Sequence, residues 1–449
     1  MKTDLIIIGA GPGGYETAHY AASRGLTVTI LESQELGGTC LNRGCIPTKT
    51  LCKNADVVNQ IKEADVYGIS NAGYTVDFQK MIARKNEVVS QLREGVAMAL
   101  KHPGITLVQG EAVIVSPRIV LCRGEEYECD NMIIATGSMP KLLPVEGAEM
   151  PFVLTSDEIL DMQELPKSLC IIGGGVIGLE FASIFNSFGV EVTIVEFCKE
   201  IVPNFDGDIA KRLQQALIKK GIVVNVGAAV TSIRDSGNGM ALISYEQKGK
   251  QLQLQSEKVL MAVGRAPCVP QGLTAAGVEF SSRGICVDDN MKTNIPGVYA
   301  IGDVNARCML AHAASFQGKR AVNAILGECD NIRLDIMPSA IFTSPEVSMV
   351  GITEAYCKEN GIDVVVKKSF FRANGKAVAM NETDGILKMV VSADTRKVLG
   401  CHILGAHAAD LIQEVAALMN CDKTIDDLKD MVHAHPTLSE VVLSVANQY

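Results

Sequence analysis

The sequence of 449 residues predicts an α/β fold in which two Rossmann-like dinucleotide-binding domains are combined with a C-terminal α+β domain. A pattern of apolar strand, glycine-rich turn, helix and second strand occurs twice, at residues 5–32 and 169–196. From about Pro338 the pattern changes to strand-like runs at residues 364–370 and 386–391 followed by a helix at 410–420, which indicates a separate domain. We therefore expect a first domain in two parts, at 1–140 and 263–335, with a second domain between them at 141–262. A last domain is expected at 336–449.

The first repeat has every part of a dinucleotide-binding motif. A wholly apolar run at residues 5–8, typical of a buried parallel strand, leads into the fingerprint Gly9-x-Gly11-x-x-Gly14, a helix, and a second strand ending at Glu32. Gly9 makes the tight turn, Gly11 lets the backbone reach a pyrophosphate, and Gly14 lets the helix pack on the strand. Glu32 is placed to accept hydrogen bonds from ribose hydroxyls, so the repeat predicts a dinucleotide site.

The second repeat copies the first, with the fingerprint Gly173-x-Gly175-x-x-Gly178 and a closing acid, Glu196, at the same spacing. Two such sites imply two nucleotide cofactors, or one cofactor and one nucleotide substrate. A carboxylate at Glu196 pairs with a free 2′-hydroxyl and repels a 2′-phosphate, and Lys199 is a lone basic residue after it. The second site is therefore expected to take NAD rather than NADP.

A third motif is the pair Cys40 and Cys45, which lies in a segment that begins with two glycines. A regular helix would separate the two Cα atoms by about 7.5 Å along its axis, beyond the roughly 7 Å that a disulfide tolerates. Closing the pair requires a bend, which Gly44 permits. A disulfide across so short a loop adds only about 2 kcal/mol of stability and is easily reduced. Redox chemistry is thus one hypothesis, beside a metal half-site or two unrelated thiols.

The composition argues against several classes of function. The net charge is −10 and no long basic run occurs, so neither nucleic acid nor an anionic membrane is an expected partner. The fourteen cysteines have no framework spacing, and the first strand follows Met1 almost at once. We therefore expect no export signal and predict a reducing cytoplasm. No apolar run approaches the length of a membrane span, and no metal site is predicted.

Taken together, the motifs resemble the flavin-dependent pyridine nucleotide–disulfide oxidoreductases over nearly the whole chain. The resemblance rests on both fingerprints, residues 37–49, Ala135-Thr136-Gly137-Ser138, Gly264-Arg265, Gly302-Asp303 and the tail His435-Pro436-Thr437-Leu438-Ser439-Glu440. It implies a homodimer with FAD in the first site, NAD in the second, and a C-terminal dimerisation domain. The similarity is to members that oxidise the dihydrolipoyl group of a protein in a 2-oxo acid dehydrogenase complex or the glycine cleavage system.

The resemblance also implies roles for single residues. Cys40 would be the interchange thiol that faces the substrate, and Cys45 the charge-transfer thiolate that faces the flavin. His435 would be the general base, supplied by the partner subunit and oriented by Glu440. The other implied residues are Lys49 near the flavin with its partner Glu180; Ala112, Thr136, Gly137, Ser138, Asp303, Met309, Leu310, Ala311 and His312 around FAD; and Val230 and Gly264 near NAD.

Two of these residues have a second interpretation, and one neighbouring residue departs from the family pattern. Residues 437–440 also fit a capping box, so Glu440 can cap a helix as well as orient His435. Glu180 also fits a first-turn acid that is favoured by the helix dipole. Arg43 stands between the cysteines where the family commonly has valine, and a positive charge there favours thiolate. Pro436 is expected to open the last helix.

Two other functions fit parts of the sequence. A reductase similar to glutathione reductase usually takes NADP and carries basic residues after the second strand, which Glu196 argues against. A subunit that mainly docks into a multienzyme complex would not need Cys40, Cys45 and His435. The resemblance therefore favours an NAD-dependent oxidoreductase.

Overall fold

The computed structural model describes residues 2–70 and 72–449. The strands are β1 (Lys2–Ile8), β2 (Val28–Glu32), β3 (Ile105–Gln109), β4 (Ala112–Ser116), β5 (Ile119–Cys122), β6 (Glu125–Ile134), β7 (Ser138–Pro140), β8 (Val153–Leu154), β9 (Ser168–Ile172), β10 (Glu191–Glu196), β11 (Val223–Val226), β12 (Ala228–Asp235), β13 (Ala241–Gln247), β14 (Lys250–Ser256), β15 (Lys258–Met261), β16 (Arg265–Pro267), β17 (Phe280–Ser281), β18 (Gly284–Ile285), β19 (Val298–Ala300), β20 (Ser339–Ile341), β21 (Glu346–Gly351), β22 (Val364–Phe370), β23 (Ile386–Ser392) and β24 (Val398–Gly405).

The helices are α1 (Pro12–Ser23), α2 (Gly38–Arg43), α3 (Cys45–Lys62), α4 (Phe78–Ala99), α5 (Val176–Ser187), α6 (Gly207–Lys219), α7 (Ala311–Ile325), α8 (Glu354–Glu359), α9 (Gly375–Ala379), α10 (Ala408–Asn420), α11 (Ile425–Lys429) and α12 (Glu440–Ala446). Within the described ranges, no helix is both long and apolar enough to cross a membrane.

The chain forms two compact units. The first contains residues 2–50, Gln79–Lys141 and Gly264–Leu334, and the second contains Leu142–Val263, Asp335–Tyr449 and the described part of Leu51–Phe78. The two-part first domain and the boundaries near 141, 263 and 335 that we expected remain a proposal for the functional domains.

The first unit is built on a sheet with the order β3-β2-β1-β6-β5-β4, in which β19 also pairs with β6. Strand β1 pairs in parallel with β2 and β6. Its side chains enter two cores in alternation, with Leu5 and Ile7 on one side and Ile6 and Ile8 on the other. Burial on both faces explains why the sequence of this strand is wholly apolar rather than alternating.

The second unit contains two larger sheets. Strands β11-β10-β9-β15-β8 form the sheet of the second repeat, where β9 pairs in parallel with β10 and β15. Strands β20-β21-β24-β23-β22 form an antiparallel sheet, and its core includes residues of α10, α11 and α12. The α+β fold predicted for the C-terminal part from about Pro338 is therefore confirmed, although β24 was not predicted.

The last helix differs from the expectation. Pro436 was expected to open it, but α12 begins at Glu440, after Ser439. The hydroxyl of Thr437 donates to the carbonyl of Ala434 at 2.8 Å, so it does not cap the helix. The capping box is thus half formed, because Glu440 still accepts a hydrogen bond from the main-chain N–H of Thr437 at 2.9 Å.

Candidate functional site

The two cysteines are brought together by a break between two helices. Helix α2 carries Cys40 and ends at Gly44, whose φ of −143° and ψ of −111° leave the helical path, and α3 then begins at Cys45. A Cβ on residue 44 would lie 2.9 Å from the carbonyl oxygen of Thr39, so a larger residue would collide with the backbone. Cys40 is hydrogen-bonded to Cys45 across this bend. The predicted bend at Gly44 is confirmed.

The surroundings of the pair disfavour deprotonation of Cys40. The pKa of Cys40 is raised, first by its hydrogen bond to Cys45 and then by burial, while Lys49 lowers it. Lys49 lies one turn after Cys45 on α3, on the same face of the helix. The guanidinium of Arg43, by contrast, forms an ion pair with Glu35 at 2.9 Å. Lys49 therefore supplies the positive charge that acts on Cys40, whereas Arg43 is paired with the carboxylate of Glu35.

The glycines of both fingerprints fall into two groups. A Cβ on Gly14 would lie 1.9 Å from the carbonyl oxygen of Gly9, and one on Gly178 would lie 2.2 Å from that of Gly173, so the fold itself requires these glycines. A Cβ on Gly11 would meet nothing nearer than 3.8 Å, and one on Gly175 nothing within 4 Å. Since Gly11 and Gly175 also have φ of −70° and −80°, their absent side chains leave space for a ligand. Both turns therefore fit a dinucleotide.

The loop before the redox pair lies directly on the first fingerprint. Gly37 donates from its main-chain nitrogen to the carbonyl of Ala10 at 2.9 Å. Gly38 has a φ of +57°, and a Cβ on it would lie 2.6 Å from the Cα of Gly11. The chain that enters α2 is therefore packed against the turn expected to hold the pyrophosphate.

The two acids that close the repeats have the same environment. The carboxylate of Glu32 accepts hydrogen bonds from the main-chain nitrogens of Ala10 at 2.6 Å and Gln34 at 2.7 Å. The carboxylate of Glu196 accepts from the main-chain nitrogens of Gly174 and Cys198, the latter at 2.6 Å. Each carboxylate oxygen retains lone-pair capacity for a ribose hydroxyl. The backbone thus fixes the orientation of both acids, and their binding of ribose remains a prediction.

A polar chain links three segments of the first unit. The hydroxyl of Ser138 donates to the carboxylate of Asp303 at 2.5 Å. Arg265 donates to the hydroxyl and to the carbonyl of Ser138, both at 2.7 Å. The motif Gly264-Arg265 did not predict this contact, because the partner of Arg265 lies far away in the chain. Ser138 and Asp303, both expected at FAD, are brought together by the fold.

The remaining residues expected around FAD also belong to the first unit. Thr136 donates from its hydroxyl to the carbonyl of Cys268 at 2.5 Å, and Gly137 has a φ of +72°. Ala112 begins β4, two residues after Gly110, whose nitrogen donates to the carbonyl of Glu32. Of the four residues expected beneath the flavin, Ala311 and His312 begin α7, Leu310 is its N-cap and Met309 precedes the cap. Contact with FAD remains a prediction for all of them.

Two further residues were expected near NAD. Val230 lies in β12 and packs in the same core as Val195 of β10, one residue before Glu196. Gly264 has a φ of +105° and belongs to the first unit, where its carbonyl accepts a hydrogen bond from Lys141 at 3.0 Å. Binding of NAD by either residue remains a prediction.

Glu180 is a buried carboxylate with a main-chain partner. Its side chain is buried in α5, the fifth residue from Val176, and accepts a hydrogen bond from the nitrogen of Phe342 at 2.9 Å. The first-turn interpretation of this acid is wrong, because the first turn of α5 contains no acidic residue. Lys49 and Glu180 belong to different units, and their pairing remains a prediction.

The histidine of the C-terminal tail is exposed and held by its acid. The Nδ1 atom of His435 lies 3.0 Å from Glu440 Oε1, and 78% of the imidazole is exposed. Glu440 therefore orients His435 with one oxygen and binds the nitrogen of Thr437 with the other. His433 is different, because its Nε2 atom lies 2.7 Å from Glu414 and its side chain is buried. In the part of the chain that the structure describes, no group of His, Cys, Asp or Glu could hold a metal ion.

Replacing Arg265 by methionine is expected to weaken FAD binding by about tenfold, since hydrogen bonds to charged groups contribute roughly 1.5–3 kcal/mol. The change removes the hydrogen bonds that Arg265 donates to Ser138. Ser138, which donates to the carboxylate of Asp303, is then no longer held in place. The FAD content after gel filtration measures the effect. Arg234→Met is the control, because Arg234 is an exposed residue bound to Glu146 in the other unit. Equal FAD retention by both variants would contradict the role of Arg265.

Comparison with known proteins places these features in a family. Residues 3–318 match the pyridine nucleotide-disulphide oxidoreductase family, and residues 337–446 match its dimerisation domain. A dihydrolipoyl dehydrogenase of Bacillus subtilis is 40% identical over 454 residues, covering 99% of this chain and 96% of the relative. One from Chlamydia muridarum is 39% identical, covering 98% and 95%. A structure of the HOCl-induced flavoprotein disulfide reductase RclA from Escherichia coli, solved as a Cu(II) complex, is 30% identical, with a TM-score of 0.89 and coverage of 100% and 99%.

Proposed function

Because the chain belongs to the pyridine nucleotide–disulphide oxidoreductase family, we propose that it acts as a dihydrolipoyl dehydrogenase with FAD and NAD as cofactors. The observation that carries the proposal is the hydrogen-bonded pair Cys40 and Cys45 at the Gly44 bend. Two thiols in contact can close and open a disulfide. The pair lies in a loop that is packed on the first dinucleotide fingerprint.

In the proposed reaction, one thiol of the dihydrolipoyl group attacks Cys40, which breaks the Cys40–Cys45 bond and forms a mixed disulfide. The second thiol then displaces Cys40, which leaves an oxidised lipoyl group and two reduced cysteines. Of the two protons released, one stays on the cysteine pair and the other passes to His435. When bound, FAD supplies the two-electron redox chemistry that connects the reduced cysteines to NAD⁺.

The dimerisation domain supports a homodimer, and we place the active site between its subunits. His435 is largely exposed although Glu440 holds it in a fixed orientation, which suits a base that serves the cysteines of a second copy. The partner protein is proposed to carry a lipoyl group, as in a 2-oxo acid dehydrogenase complex or the glycine cleavage system. The fourteen cysteines do not have the spacing of a disulfide framework, which supports a reducing cytoplasm as the compartment of this protein.

The purified protein is expected to reduce NAD⁺ with dihydrolipoamide and to use NADP⁺ at least about tenfold less well in kcat/KM, because Glu196 repels a 2′-phosphate. Anaerobic titration with dihydrolipoamide and with NADH should each reduce the flavin. Glutathione disulfide with NADPH serves as the control reaction. Efficient reduction of glutathione disulfide, or a flavin that NADH reduces and dihydrolipoamide does not, would contradict the proposed substrate.

A further inference from the structure

Lys388 is a buried cation surrounded by carboxylates in the second unit. It lies in β23 with 3% of its side chain exposed. Its Nζ atom lies 2.9 and 3.0 Å from the two oxygens of Asp206, 2.9 Å from Asp208 and 2.6 Å from Glu354. Burial acts to lower the pKa of Lys388, but the hydrogen bonds to these carboxylates raise it overall. The ammonium therefore stays charged and fixes its partners.

Asp206 connects this cation to the second fingerprint. It is 2% exposed, precedes α6, and accepts a hydrogen bond from the nitrogen of Asp208 at 3.1 Å. The residue before it, Phe205, donates from its nitrogen to the carbonyl of Val202 at 2.9 Å. Val202 in turn donates from its nitrogen to the carbonyl of Gly174 at 2.9 Å. A short series of contacts thus runs from Lys388 to the glycine-rich turn.

The same segment is packed closely on Gly174 and is strained. A Cβ on Gly174 would lie 3.0 Å from the side chain of Ile201 and 3.2 Å from that of Glu196. Val202 has a φ of +38°, a conformation that a β-branched residue adopts only when its surroundings impose it. The main-chain N–H of Val202 is bonded to Gly174, and its carbonyl is bonded to Phe205, the residue before Asp206. Gly174 also donates its main-chain N–H to Glu196.

We propose that Lys388 is a positioning residue for the nicotinamide-nucleotide site, an inference that rests on the proposed binding of NAD between Gly173 and Glu196. The ammonium of Lys388 acts indirectly and does not touch the nucleotide. It holds Asp206, Asp206 fixes residues 201–205, and these residues hold Gly174 where its N–H orients the ribose-binding carboxylate. A side chain of the C-terminal sheet thereby contributes to the affinity for NAD.

Replacing Lys388 by methionine is expected to raise the KM for NADH about tenfold while kcat stays within about twofold of wild type. The rate at which dihydrolipoamide reduces the enzyme without NAD should not change, and neither should the FAD content. Asp206→Asn should change KM in the same direction as Lys388→Met. Lys388→Arg, which keeps the charge, should have a smaller effect than either. A role of Lys388 that is limited to stability would not raise the KM for NADH while leaving the rate of reduction by dihydrolipoamide unchanged.

Arg396→Met is the matched control, because it removes an ion pair with Asp426 in the same part of the chain and leaves residues 201–206 untouched. It should lower thermal stability without changing the KM for NADH. The inference is overturned if folded Lys388→Met keeps a KM within twofold of wild type, or if the control raises KM equally. If Lys388→Met does not fold, Asp206→Asn decides by the same criteria. Absence of NADH turnover in the wild type would instead remove the proposed function.

Discussion

Replacing Cys45 by serine is expected to lower dihydrolipoamide:NAD⁺ turnover at least about a thousandfold. A serine hydroxyl cannot form a disulfide with Cys40, so the variant has no oxidant for the incoming dithiol. FAD should stay bound, because the fingerprint glycines and Glu32 are unchanged. Turnover is measured as NADH formation, and the flavin content is measured on the same sample.

The control for this variant is Cys52→Ser. Cys52 lies two turns further along α3 and interacts with the carbonyl of Phe342 at 3.5 Å. We expect it to keep nearly full activity, because it takes no part in the proposed exchange. NADH oxidation with an artificial electron acceptor should survive in both variants. Loss of FAD from Cys45→Ser would show that Cys45 is structural, and turnover close to wild type would remove the redox pair from the mechanism.

Replacing His435 by glutamine is expected to lower kcat for dihydrolipoamide oxidation by about a thousandfold, within the range typical of a lost general base. The ordinary pKa of a thiol is about 8.5, so most of the dithiol is protonated at neutral pH and needs a base to attack. Without the imidazole, activity should rise with pH as the substrate ionises by itself. Reduction of the flavin by NADH should be unaffected.

A second histidine of the same domain provides the comparison. His407 is exposed and has a φ of +56°, which asparagine tolerates, so His407→Asn should behave as wild type. Glu440→Gln should have a smaller effect than His435→Gln, since Glu440 acts only through the orientation of His435. A kcat for His435→Gln within tenfold of wild type would contradict its assignment as the base.

Local patterns in the sequence were sufficient for the features that depend on neighbouring residues. The strand Val364–Phe370 was predicted with its observed bounds, because β-branched and aromatic residues mark it clearly. The bend at Gly44 was predicted from the spacing of the two cysteines, on the condition that they pair. Both fingerprints were found because each is a continuous motif whose glycines serve the same turn.

Contacts between distant residues could not be predicted in this way. Arg265 reaches Ser138 across 127 positions, and Lys388 reaches Asp206 across 182. Neither pair has a local signal, because a single arginine or lysine in a strand more often faces solvent. The start of α12 was misplaced for a local reason, since the hydroxyl of Thr437 bonds to Ala434, three residues before it, instead of capping the helix. Side-chain partners, rather than propensity, decided these cases.

The packing of Gly38 on Gly11 has a consequence for protein engineering. A side chain on Gly38 would meet the backbone of Gly11 at 2.6 Å, so the loop that carries the cysteines cannot take a bulkier residue there without displacing the turn. A grafted cysteine loop that lacks a glycine at position 38 is therefore expected to disturb the first turn. The two segments should be exchanged as one cassette.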